Sequence, residues 1–82
     1  MTEPLTILVT AVGSPGSAAL LRALRENGER PVRIVGTDLR AEAVGAFLCD
    51  AFATVPAGED PAFADTILDL ARREGAHVIL PQ

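Results

Sequence analysis

Thr6-Ile-Leu-Val-Thr-Ala-Val-Gly-Ser-Pro-Gly-Ser-Ala-Ala-Leu-Leu-Arg-Ala-Leu24 is the stretch on which the fold turns. Its first residues form a short apolar run rich in β-branched side chains, as a strand buried on both faces requires. Val12-Gly13-Ser14-Pro15-Gly16 then makes a glycine turn, and the Ala/Leu run after it has helical character. Strand, glycine turn and helix make the opening of a βα unit, and the rest of the chain repeats the rhythm.

Working outward, the first strand is expected over 5–10. The first helix is expected from Pro15 or Gly16 to Asn27, stopped by Gly28, with Ala18, Leu20, Leu21 and Leu24 toward the sheet. Pro31 introduces a second strand, Val32–Thr37, ending at Asp38. A short helix follows from Arg40 or Ala41 to Leu48, with Ala43, Val44 and Phe47 inward. Asp50–Pro56 reads as a third strand and Ala57-Gly58-Glu59 as a loop. Asp60-Pro61 reads as an N-cap with proline at the first helical position. Phe63, Ile67, Leu70 and Ala71 share one face of the helix that follows, which Gly75 stops. His77–Pro81 is the fourth strand. Strands alternating with helices predict an α/β, Rossmann-like three-layer domain over 1–82, with a four-stranded parallel sheet of order 3-2-1-4. The fourth strand would be a hydrophobic edge with nothing after it to cover it, so the expectation is a truncated domain, the front piece of a larger protein.

Size and composition narrow the function. Eighty-two residues allow one small domain, which buries only roughly 60 to 65% of its unfolded surface. A net charge of −4, with all seven cations Arg and scattered, argues against nucleic acid and anionic membranes. No apolar run reaches the roughly 20 residues of a membrane span. Met1-Thr-Glu-Pro4 has no basic n-region, and the single Cys49 rules out an internal disulfide, so the expected compartment is the cytoplasm. Lys and Tyr are absent, which excludes a P-loop lysine and the Tyr/Lys pair of short-chain dehydrogenases. One His and one Cys, without paired carboxylates near them, suggest neither a metal site nor a catalytic centre.

The glycine turn carries whatever chemistry there is. It lies on the dinucleotide fingerprint as Ala11-x-Gly13-x-x-Gly16, with Asp38 following Gly16 by 22 residues, near the spacing of a ribose-binding acid. Read so, Gly13, Gly16 and Asp38 would bind NAD(P). Ala11 and Pro15 count against it: one adds a Cβ at the tight first turn, the other removes an N–H donor. Neither NAD nor NADP is therefore expected to bind with useful affinity. The alternative is a turn that only lets strand and helix pack closely. Asp38 either binds a ligand or caps the element after it. Ser14 either caps the first helix or, with Ser17, bonds an anion at that helix start. His77 is read as structural, Cys49 as a small buried hydrophobe, and Arg72-Arg73 as a solvated helix end.

Ile7–Gly16, Ile34-Val-Gly-Thr-Asp38, Asp50–Pro56 and Val78-Ile-Leu-Pro-Gln82, in this order and spacing, resemble the pre-ATP-grasp domain. That is the Rossmann-like N-terminal domain of ATP-grasp carboxylate–amine ligases, including the carbamoyl-phosphate-synthase-like and pyrrolysine-biosynthesis-like ones. The resemblance covers nearly the whole chain; the Val-Pro after the third strand and Leu-Pro-Gln after the fourth favour it over dehydrogenases. It implies a domain that binds no nicotinamide and lines the substrate side of the active site, through Gly13, Ser14, Pro15 and Gly16 in the turn and Pro81 and Gln82 beside it. ATP and Mg²⁺ would be held by a following ATP-grasp domain. The implied reaction activates a carboxylate as an acyl phosphate that an amine then attacks, and this piece contributes positioning alone. The family often has glycine at the positions of Ala11 and Ser17. The chain by itself is expected neither to bind ATP tightly nor to hydrolyse it, having no Lys and no acidic set for Mg²⁺. Other expectations are an NAD(P)-binding domain of an oxidoreductase, or a non-catalytic interaction module; the open edge of the fourth strand permits a further partner or a second copy.

Overall fold

Four parallel strands and two helices make up the computed structural model, which describes residues 3–82. They run in the order β1 (Leu5–Val9), α1 (Ser17–Arg25), β2 (Val32–Asp38), a 3₁₀ helix (Val44–Leu48), β3 (Ala51–Thr54), α2 (Phe63–Glu74) and β4 (Val78–Leu80). The sheet order is β3-β2-β1-β4, as the apolar runs predict. Ile7 lies opposite Ile34 on one side and Val78 on the other, so β1 is paired along both flanks. Asp38, at the end of β2, is in register with Thr54.

Side-chain alternation along β1 divides the core in two. Ile7 and Val9 pack with Val12, Leu21, Ile34 and Ala43 on the α1 face. Leu8 packs with Val35, Val55, Ile67, Leu70 and Ala71 on the α2 face. Leu20 and Leu24 are half-buried as expected, while Ser17, unassigned to the inward face by the pattern, is fully buried. β4 is an edge, and its Val78 and Ile79 are exposed. No helix among the described residues is long and apolar enough to cross a membrane.

The structure alters several element boundaries. α1 starts at Ser17, after Gly16 in the left-handed region at φ 87°, and ends at Arg25 rather than Asn27. Asn27 instead organises the next turn, its Oδ1 accepting from the Glu29 and Arg30 N–H groups, both at 2.8 Å. α2 begins at Phe63 with Ala62 at its N-cap and no side-chain cap bond, so Asp60 and Pro61 lie in the turn before the helix, where Asp60 Oδ1 accepts from the Ala62 N–H at 2.8 Å. β1, β3 and β4 are each shorter than their apolar runs.

The expected helix from Arg40 or Ala41 to Leu48 is a 3₁₀ segment alone, and Phe47 points out, 89% exposed. Gly45 explains both. It lowers helix propensity, and it lies so close to the Val12 carbonyl that even a Cβ would collide with that oxygen. Backbone contact with the glycine turn, rather than burial of an apolar stripe, sets the course of this segment. Ala43 is buried as expected; the Val44 side chain lies outside those described.

Candidate binding site at the carboxyl ends of the strands

The chain leaves β1 through Thr10 and Ala11, and Ala11 takes φ 54°, a left-handed conformation unusual for a residue with a Cβ. That bend sends Val12 down between β2 and the 3₁₀ helix. A Cβ on Gly36 would come within 3.2 Å of Val12, and one on Gly13 within 2.8 Å of the Asp38 carboxylate. Gly13, Gly36 and Gly45 therefore form one closely packed seam around Val12.

Hydrogen bonds hold the seam shut. The Gly13 N–H donates to Asp38 Oδ2 at 2.7 Å, and the Arg40 N–H donates to Oδ1 at 3.0 Å. Asp38 thus ties the glycine turn to the start of the following loop; it does not cap the 3₁₀ helix, which begins at Val44 with no side-chain cap bond. The Ser14 N–H bonds the Ala11 carbonyl at 3.0 Å, and the Ser17 N–H bonds the Ser14 carbonyl at 3.2 Å. Pro15 has no N–H to offer. A pyrophosphate cradle needs such donors free and convergent; here Gly13, Ser14 and Ser17 have already committed theirs.

Ser14 does not cap α1: that helix has no side-chain cap bond, and the Ser14 hydroxyl pairs with the Ser17 hydroxyl at 2.8 Å. Gly16, between them in its left-handed turn, directs the chain so that Ser17 points inward, where its Oγ donates to the Ala11 carbonyl at 3.1 Å. Gln82 reaches the same spot from beyond β4. Its Nε2 donates to the Thr10 carbonyl at 3.0 Å and to Ser17 Oγ at 3.1 Å, and its own N–H donates to Thr10 Oγ1 at 3.0 Å. Of the candidate residues, Gly13, Ser14, Pro15 and Gly16 line a mostly apolar hollow of ≈ 300 Å³ beside the 3₁₀ helix. Pro81 lines neither that hollow nor the larger cleft.

The larger cleft, ≈ 350 Å³, lies on the other side of Ala11. It is lined by Thr10, Ala11 and Gln82, by Asp38 and Leu39 after β2, and by the segment 55–59 after β3. Phe63, in the first turn of α2, closes one end. It sits outside the carboxyl ends of β1, β2 and β3, where open parallel sheets bind ligands. Only Asp38 and Gln82 among the candidate residues reach it. The sequence pattern does not single out Leu39, Glu59 or Phe63, since Phe63 reads as core and 57–59 as a plain loop; the signal for them is that loops after parallel strands line such sites. Leu39 stands 60% exposed at the mouth.

Other polar groups tie elements together. His77 Nδ1 accepts from the Thr6 N–H at 3.0 Å, which ties β4 to β1. Asp50 Oδ2 accepts from the Ile34 N–H at 2.7 Å and pairs with Arg25 Nη2 at 2.9 Å. Burial tends to raise the Asp50 pKa, but the Ile34 N–H and the Arg25 guanidinium outweigh it and hold the carboxyl below its usual range. Burial pushes the Cys49 thiol up, against the pull of Arg25, so it favours a packed thiol over a reactive thiolate. The described residues contain no cluster of three or more metal-ligating side chains. No family model matches the chain, and no curated protein matches it either.

Proposed function

We propose that this domain is the substrate-side, N-terminal unit of an ATP-grasp carboxylate–amine ligase, acting in the cytoplasm and contributing position rather than chemistry. One observation carries the reading. Gln82 bonds Thr10 and Ser17, which flank the glycine turn, so the segment after β4 braces that turn from both of its ends. These are the two segments that the resemblance assigns to substrate. Such bracing suits a positioning role, in which misplacement of a substrate by an ångström is costly. The spent N–H donors of the turn support it over a nicotinamide-binding reading, since a pyrophosphate would have to displace Asp38 from Gly13. ATP and Mg²⁺ belong, in this reading, to an ATP-grasp segment following in the same polypeptide.

The test is phosphate release from ATP by the polypeptide translated beyond Gln82, against a panel of carboxylates and amines. Release that requires both a carboxylate and an amine is the expected result, with none from residues 1–82 alone. A reading frame lacking an ATP-grasp segment, turnover by residues 1–82, or saturation with micromolar NADH overturns it.

A further inference from the structure

The ionisable residues lining the ≈ 350 Å³ cleft are Asp38 and Glu59, both acidic, and no Arg or His is among them. Leu39, Val55, Pro56 and Phe63 give the cleft large apolar side chains, and Thr10 and Gln82 its uncharged polar ones. From this pairing we infer that the cleft binds a small primary ammonium ion carrying an apolar chain. Taking this amine to be the acceptor of the ligation rests on the function proposed above; its binding does not.

Three features support the inference. The volume lies at the small end of the range for ligand pockets, suiting a short alkylamine better than a nucleotide. Backbone N–H groups of Gly13 and Arg40 hold the Asp38 carboxylate in place, one bond to each oxygen. Each carboxylate oxygen keeps a further lone pair for an incoming N–H. Leu39, 60% exposed at the mouth, presents apolar surface that an alkyl chain would cover. An anionic ligand would meet two carboxylates instead. The start of α2 adds further negative charge rather than relief, with Asp60 before the helix and Asp65 in its first turn.

The test is an amide-detected NMR titration of the 82-residue chain, without ATP, using n-pentylammonium, 1-pentanol and pentanoate as probes of equal length. Saturable shifts with the ammonium at residues 38–39, 55–59 and 63, weaker with the alcohol and absent with pentanoate, are expected. Glu59→Gln, at an exposed loop position outside both core clusters, is expected to weaken ammonium binding about fivefold, as loss of one exposed charge pair allows. Pentanoate binding as tightly, shifts centred elsewhere, or an affinity unchanged in Glu59→Gln overturns the inference. Ammonium binding without ATP turnover in the extended polypeptide would sink the ligase reading alone. Turnover without ammonium binding at this cleft would sink this inference alone.

Discussion

The two sides of the Thr10–Ala11 bend are built on opposite plans. Toward the 3₁₀ helix, Val12 is packed against Gly36 and Gly45, and the turn's N–H groups are consumed by Asp38 and neighbouring carbonyls. Toward α2, the wall is made of side chains with room before them, and a Cβ added to Gly58 would meet nothing within 4 Å. A backbone donor already bonded inside the protein is lost to a ligand, while open apolar walls beside carboxylates retain their capacity to bind. A glycine-rich turn after a strand therefore marks an anion site only when its donors stay free.

The sharpest way to break this contrast is the same substitution on both sides. Gly45→Ala forces a methyl into the Val12 carbonyl and is expected to cost about 3 kcal/mol, at the upper end of overpacking effects. Gly58→Ala is expected to change stability by less than about 0.5 kcal/mol. Urea denaturation of the two variants measures both, and equal costs would show that the seam is no tighter than the cleft.

Gln82→Ala tests the brace beneath the two sides. It removes the side-chain bonds to Thr10 and Ser17, with an expected loss of about 1 kcal/mol and amide shift changes at Thr10, Ala11 and Ser17. Unchanged stability would mean that the lining of the cleft holds its shape without β4's extension.

Acid titration probes a different anchor, just before β3, where Asp50 bonds Ile34 of β2 and pairs with Arg25. The Asp50 carboxyl is held below its usual range, so its folded pKa lies below its unfolded one. Its contribution is then present above the unfolded value of about 3.9 and lost as pH falls through the folded value. Asp50→Asn is expected to flatten the acid side of the stability curve and to leave little pH dependence near neutrality. Because the pair is well exposed, the effect should shrink in high salt.

The smallest effect is expected at the bend. Ala11 holds a left-handed φ of 54°, costing about 1 kcal/mol. Glycine would relieve that strain but lose roughly 0.5 to 1 kcal/mol through its freer unfolded chain. Ala11→Gly is thus expected to shift the urea midpoint upward slightly or not at all. A clear loss would mean that the Ala11 methyl contributes packing to the cleft lining.

The order of the strands and the two faces of the sheet were legible in the chain itself. Four apolar runs alternating with helical patterns admit few topologies, and period-2 burial along Ile7, Leu8 and Val9 follows from strand geometry alone. The glycine turn and the inward face of α2 were legible for the same reason, since each depends on local conformation or spacing, whereas the Asp60 cap was displaced to the turn before α2. What only the tertiary structure decided were long-range contacts whose partners are separated in sequence by tens of residues. Asp38 receiving the Gly13 N–H, Gln82 bonding Thr10 and Ser17, and Gly45 meeting the Val12 carbonyl are of this kind. Those contacts took up the Gly13 N–H of the glycine turn, turned Phe47 outward and left the open cleft beside Leu39, Glu59 and Phe63. Local spacing sets which way a backbone runs; only the assembled sheet sets which of its donors are still free when the chain arrives.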